Sequence, residues 1–229
     1  PETIPLSFID ATKEYGADLR LGGRTIAQAA SKMREEMKKA WFDLSTLKEP
    51  FRVEGKKTMG YEIAEQLDWT LPDVVVYPTG GGTGLIGMWK AFNEMINFGW
   101  VAEKETGMPR MVVVQSDGCA PIVKAFAEGL LENDLWEKSH TGALGLNVPS
   151  PLGGAWMLKT LRDSGGIALM VDEAQIMEAS HEVNELSGVD GSCEDGVSWL
   201  GFKTLVETGW IKEGEKVMIP ITGAAERYV

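Results

Sequence analysis

Two short, unbroken apolar runs, Val74-Val-Val-Tyr77 and Met111-Val-Val-Val114, constrain this chain more than any other feature. A strand with one face in water alternates apolar with polar residues. A run that is apolar at every position is buried on both faces, as in a parallel sheet covered by helices. Both runs are far too short to cross a bilayer. Between them Leu85, Met88, Trp89, Phe92, Met95 and Ile96 recur at helical spacing. The alternation continues, with expected helices around Met59, Ile63 and Leu67, from Ile122 to Leu130, and over 154–163, 172–186 and 195–208, and with expected strands at 167–171 and 216–221. Residues 132–153 are polar and aperiodic, and read as an irregular excursion over the sheet edge. The fold class is α/β, an open parallel twisted sheet with helices on both faces.

Ahead of this unit stand an expected helix over 6–16, closed by Gly16, an expected strand at Asp18–Leu21, and a helix over 25–40 whose charged face reads as solvated. The polar, proline-bearing passage Ser45–Pro50 is the expected domain crossing. Residues 1–49 are therefore read as the tail of a smaller α/β domain, and 50–229 as the large domain. A chain of 229 residues buries roughly 70 to 75% of its unfolded surface, so a core forms without disulfides or metal. Cys119 and Cys193 lack CxxC spacing and read as buried thiols in a reducing compartment. His140 and His181 offer no metal cluster, and the methionines and the eight tryptophans are assigned to packing.

Charge narrows the partners. With 22 basic against 34 acidic residues, a net of −12, the chain lacks the basic face of a general phosphate-backbone binder, so nucleic acid is not an expected partner. No signal-peptide layout opens the chain and no membrane is expected, so a cytoplasmic location is. The chain starts at Pro1 without a Met, which reads as a fragment.

The run at Val74 leads directly into Pro78-Thr-Gly-Gly-Gly-Thr-Gly-Leu85, and the periodic helix follows at once. Consecutive glycines let backbone N–H groups approach a ligand without Cβ clashes, and the helix N-terminus adds partial positive charge, so the loop suits a phosphate. Thr79 or Thr83 adds a hydroxyl donor. The Walker pattern fails, because no Gly-Lys-Ser/Thr follows. Gly82-Thr-Gly84-Leu-Ile-Gly87 matches a dinucleotide fingerprint literally, but the next acidic strand end, Asp117, lies further on than that fingerprint expects.

Glu54-Gly-Lys-Lys-Thr-Met-Gly-Tyr-Glu-Ile-Ala-Glu-Gln-Leu67, Pro72 to Leu85, and Pro109-Arg-Met-Val-Val-Val-Gln-Ser-Asp-Gly-Cys-Ala-Pro121 closely resemble the threonine synthases, pyridoxal-phosphate enzymes of the tryptophan-synthase-β-like class. The resemblance implies pyridoxal 5'-phosphate as cofactor, a small amino-acid substrate, O-phosphohomoserine, and a homodimer. It implies that Gly80, Gly81, Gly82, Thr83 and Gly84 wrap the cofactor phosphate, and that Thr222 faces the pyridine nitrogen. A hydroxyl there, unlike a carboxylate, need not hold that nitrogen protonated. It also implies that Arg52 holds the substrate phosphate, for which a guanidinium fork is suited.

The pattern breaks at one place that matters. The class depends on a Schiff-base lysine in a Ser-x-Lys-Asp-Arg-like segment, followed by an asparagine, and neither is present; Lys32 sits mid-helix and reads as solvated. No catalytic residue is therefore assigned within this chain. Cys193-Glu-Asp-Gly196 stands where a Cys-Pro-Glu-Gly is usual, and Ala225 where a glycine is usual. These departures leave open a dehydratase of the same class, the absent lysine leaves open a non-catalytic relative acting by binding, and the literal Gly82-Thr-Gly84-Leu-Ile-Gly87 match leaves open a nicotinamide-dependent oxidoreductase.

Overall fold

A computed structural model describes residues 1–101 and 107–223. Ala225 lies outside them. Four parallel strands form the sheet: β1 (Val74–Pro78), β2 (Arg110–Ser116), β3 (Ile167–Val171) and β4 (Val217–Met218), in the spatial order β3-β2-β1-β4. Eight helices are described, α1 (Leu6–Glu14), α2 (Ile26–Glu36), α3 (Phe51–Gln66), α4 (Thr83–Asn97), α5 (Pro121–Ala127), α6 (Gly154–Asp163), α7 (Ile176–Ser187) and α8 (Cys193–Glu207).

The unbroken valine runs are buried on both sides, as their composition predicts. Val75, Tyr77, Met111 and Val113 point to one face, where they pack with Leu85, Met88, Phe92, Met157 and Leu158 of α4 and α6. Val74, Val76, Val112 and Val114 point to the other, against Ile176 and Ala179 of α7 and Val197 and Leu200 of α8. Helices α3 and α4 cross closely because glycine stands at the contact. A Cβ on Gly60 would lie 2.7 Å from that of Ala91, and one on Gly87 2.8 Å from that of Lys56. One of the three fingerprint glycines, Gly87, thus serves helix packing.

From β1 the chain steps to β2 and β3 on one side, then returns to place β4 against the opposite edge of β1. The carboxyl ends of β1 and β4 therefore flank a topological switch point, the crevice where ligands of open α/β sheets bind.

Several local expectations need correction. Residues 18–21 form no strand: among the described residues no strand pairs with them, and the carbonyl of Leu21 accepts from Lys32 Nζ at 3.1 Å instead of from a ladder partner. Helix α3 begins at Phe51, well before the first periodic apolar residue, because buried Glu49 accepts from the N–H groups of Phe51 and Arg52 and caps it. Helix α2 stops at Glu36 instead of running to 40, since Met37 is extended. β4 is only two residues long, with Pro220, which has no N–H to donate, just beyond. The span expected as one helix over 172–186 opens with a 3₁₀ turn, Glu173–Gln175. The tryptophans divide: Trp89, Trp199 and Trp210 are half-buried and pack against the core, while four others lie at the surface. Trp41, Trp69, Trp100 and Trp156 are 38% to 56% exposed, as befits a ring too large to enter a dense core easily. Of the two thiols, Cys119 is buried and Cys193 half-buried, and both are free.

Candidate active site

The loop between β1 and α4 is built by exclusion. A Cβ on Gly80 would lie 2.4 Å from the carbonyl oxygen of Gly145, and one on Gly84 2.0 Å from the hydroxyl oxygen of Tyr77. Gly82 adopts φ +86°, a conformation L side chains avoid, and a Cβ there would strike Met157 Sδ. Gly81 alone faces open space, its nearest neighbour being Thr46 Cγ2 at 3.8 Å. Three positions must be glycine to let the chain pass, and the fourth leaves a bare backbone next to room for a ligand.

The donors are free. Among the described residues the backbone N–H groups of Gly80, Gly81, Gly82, Thr83 and Gly84 have no protein acceptor, and the first bond of α4 runs from the Ile86 N–H to the Gly82 carbonyl at 3.0 Å. Unpaired N–H groups at the start of a 15-residue helix attract an anion through both hydrogen bonds and the helix dipole. Thr79 is not among the hydroxyls available, since its Oγ1 donates to the Tyr77 carbonyl at 2.9 Å. Thr83, at the first turn, keeps its hydroxyl without a described partner.

The loop is braced from behind. Gln115 of β2, fully buried, donates from Nε2 to the Thr79 carbonyl at 2.9 Å and accepts at Oε1 from the N–H groups of Ile122 and Val123 at 2.9 and 3.2 Å. One side chain thus ties the end of β1 to the start of α5. On the other side the 3₁₀ turn Leu144–Leu146 rests on Gly80, and its Gly145 N–H donates to Glu194 Oε1 of α8 at 2.7 Å.

Thr222 is exposed beyond the end of β4, across the switch point from the glycine loop. Both its N–H and its hydroxyl donate to Oδ1 of Asp195, at 2.8 and 3.2 Å. Asp195 is 1% exposed, and its other oxygen accepts from the Ser192 N–H at 2.7 Å in the capping box that starts α8. Burial pushes the Asp195 carboxyl above the ordinary aspartate range, against the pull of these hydrogen bonds. The Tyr77 hydroxyl, between this carboxylate and Gly84, is pushed up to about 12, by burial first and by the charge of Asp195 second.

Arg52 stands apart. It is exposed on the first turn of α3 and donates from Nη1 to the Leu44 carbonyl at 3.4 Å, with no described contact to the loop or to Thr222.

Residues 1–223 match the sequence profile of the "Pyridoxal-phosphate dependent enzyme" family. The chain belongs to that family. Among the curated members it resembles are the threonine synthases of Methanosarcina acetivorans, 33% identical, and of Methanocaldococcus jannaschii, 32% identical, each over 76% of this chain and 42% of the relative. The chain thus spans under half the length of these relatives. Among solved structures, a fungal L-serine ammonia-lyase from Rhizomucor miehei superposes with a TM-score of 0.80 at 17% identity, over 98% of this chain and 68% of that one. At that identity the likeness carries the fold alone. The resemblance read from the sequence, the α/β class and the pyridoxal-phosphate dependence of the family all stand.

Two residues of this family member escaped sequence reasoning. Gln115 reads as an ordinary polar residue ending an apolar run, and nothing local marks it. Asp195 carried a signal, since Ser192-x-x-Asp195 ahead of an apolar helix is a capping-box pattern. Its second partner, Thr222, lies too far along the chain for spacing to reveal.

Proposed function

We propose that this chain carries the cofactor-phosphate cradle and the ring-facing hydroxyl of a threonine-forming lyase, which takes O-phosphohomoserine and water to threonine and phosphate. The observation that carries this reading is the run of N–H groups from Gly80 to Gly84, without an acceptor among the described residues, at the start of α4 beside a switch point. The donor set fits a phosphate: it offers backbone N–H groups, a free Thr83 hydroxyl, a helix N-terminus and a position, Gly81, at which a ligand can approach. When bound, pyridoxal phosphate supplies an electron sink that eases bond breaking around the amino-acid α-carbon. Gly80 to Gly84 hold its phosphate, and Thr222 meets its ring nitrogen. Met157 and Tyr77, both buried, lie directly against Gly82 and Gly84 of the loop. The lysine that fixes the cofactor covalently has no counterpart motif in this sequence, so the chemistry requires a lysine from outside these residues.

The choice of O-phosphohomoserine rests on the threonine synthases among the relatives. Arg52 is proposed to hold the substrate phosphate; its single long bond to Leu44 leaves most of the guanidinium free. Residues 1–49 are proposed to belong to a separate smaller domain. The helices α1 and α2 bury no residue, and Leu6, Ile26, Phe42 and Leu44 are exposed. A homodimer is proposed from family membership.

The test is equilibrium dialysis of the chain against pyridoxal 5'-phosphate and against inorganic phosphate. Saturable binding of pyridoxal phosphate that inorganic phosphate displaces supports the cradle, and its absence refutes it. Replacing Arg52 by Ala is expected to leave pyridoxal-phosphate binding unchanged and to weaken O-phosphohomoserine binding alone.

A further inference from the structure

Helices α3 and α4 run side by side in the same direction: Lys56 of α3 lies against Gly87 of α4, Gly60 against Ala91, and Tyr61 bonds to Glu94. Their carboxyl-terminal ends therefore emerge together, at the far end of α4 from the glycine loop. Both helices close with the same bond. The Trp69 N–H donates to the Ala64 carbonyl at 2.6 Å, and the Trp100 N–H to the Met95 carbonyl at 2.8 Å. In this closure the residue before the donor is left-handed and is usually glycine. After α4 it is Gly99, at φ +72°; after α3 it is Asp68, at φ +55°, and Trp69 itself follows at φ +57°. A bulky side chain in this region is strained, and glycine would close the turn without that strain. Helix closure thus accounts for neither the Asp68 nor the Trp69 side chain.

These side chains meet others at the surface. The Trp100 ring lies 6.2 Å from that of Trp69, edge to face, 5.7 Å from Phe98 and 6.1 Å from Tyr61, yet Trp69, Phe98 and Trp100 are 46%, 63% and 54% exposed. The field around them is negative. Glu65 and Asp68 are exposed and form no ion pair among the described residues, and two parallel helices bring the negative ends of their dipoles to this spot. Elsewhere in the chain the same two components hold a guanidinium: Arg110 lies 4.0 Å above the Trp210 ring and pairs with Glu215 at 2.7 Å. The end of the α3–α4 pair offers tryptophan and carboxylate to solvent.

We propose that the joined ends of α3 and α4 form a docking surface for an arginine-bearing segment of a protein partner, its guanidinium stacked on the Trp69 and Trp100 pair and paired with Asp68. Arginine suits the surface better than lysine, because its plane stacks on a ring while its fork binds a carboxylate. A second copy of this chain is the wrong occupant, since it brings the same acidic end and each copy carries a net charge of −12. The inference is independent of the cofactor reading.

The test titrates the chain with a capped glycine–arginine pentapeptide and with its citrulline counterpart, which keeps the shape and lacks the charge, while NMR records the indole N–H signals. The arginine peptide should shift the signals of Trp69 and Trp100 and leave that of Trp199, whose Nε1 is held by Glu182 at 2.6 Å, in place. The citrulline peptide should shift none. Trp100→Ala and Asp68→Asn should each weaken binding by about two- to fivefold, the range of one exposed cation–π contact or surface ion pair. Trp69→Gly should keep its unfolding midpoint and lose the peptide-induced shift at Trp100. Equal affinity in the unaltered chain and these variants would reduce the effect to attraction by net charge and overturn the proposal, as would shifts spread over all the indoles or absent from Trp69 and Trp100. A sharp fall in the midpoint of Trp69→Gly would make that ring a packing residue and overturn it too.

Discussion

At the scale of single residues, the glycine loop divides into positions whose Cβ the fold excludes and one, Gly81, that faces open space. A methyl group on Gly80 or Gly84 meets the Gly145 carbonyl or the Tyr77 hydroxyl at 2.4 and 2.0 Å. Gly80→Ala is therefore expected to lower stability by about 1–3 kcal/mol, the usual cost of overpacking, which denaturant titration measures. Gly81→Ala meets nothing closer than 3.8 Å and should leave the unfolding midpoint nearly unchanged. The loop was legible in the sequence because so many glycines between an apolar run and a periodic helix have few other uses. The roles of Asp195 and Gln115 were not legible, because each acts across a long stretch of chain, Asp195 on Thr222 and Gln115 on Thr79. Replacing Gln115 by Leu would strip partners from the Thr79 carbonyl and from the N–H groups of Ile122 and Val123. At about 1–3 kcal/mol for each buried polar group left unpaired, this should be among the most destabilising single changes in the chain, and calorimetry would register it as a large fall in Tm.

Among the elements, the pair α3 and α4 carries the clearest electrostatic signature. Glu94 of α4 accepts from Lys57 at 2.7 Å and from the Tyr61 hydroxyl at 2.9 Å, both on α3, and pairs with Lys90. Bonds from Lys57 and Lys90 hold the Glu94 carboxyl down to about 2. A carboxylate depressed in the folded state stabilises the protein above its unfolded pKa and ceases to do so as pH falls through the folded value. Unfolding midpoints should therefore drop between about pH 4.5 and 2, and Glu94→Gln should flatten that part of the pH profile. If the variant keeps the full acid sensitivity of the unaltered chain, the network is not its source. The helices themselves were legible from periodicity, since α4 shows its apolar stripe plainly. The strand expected at 18–21 was misread because a short apolar alternation says nothing of a partner, and among the described residues none pairs with it. The start of α3 was missed for the opposite reason: a buried carboxylate at Glu49, and not an apolar pattern, sets it.

For the whole molecule, the decisive feature is the reversal of strand order at β1, which brings the end of a glycine loop and the end of β4 to one crevice. The unbroken valine runs announced a sheet covered on both faces, and both core layers exist as expected. Strand order was not legible from those runs, because identical apolar strands carry no information about their neighbours. The central claim is that Gly80 to Gly84 form an anion cradle at this crevice. The most direct measurement is the affinity of the chain for pyridoxal 5'-phosphate by titration calorimetry, compared among the unaltered chain, Gly81→Ala and Gly81→Asp. The fold should tolerate all three, since the position faces open space. An aspartate there sets a negative charge against a dianionic phosphate, so the account predicts sharp loss of binding in Gly81→Asp with Gly81→Ala much less affected. Equal affinity in the unaltered chain and the folded Gly81→Asp variant would contradict it.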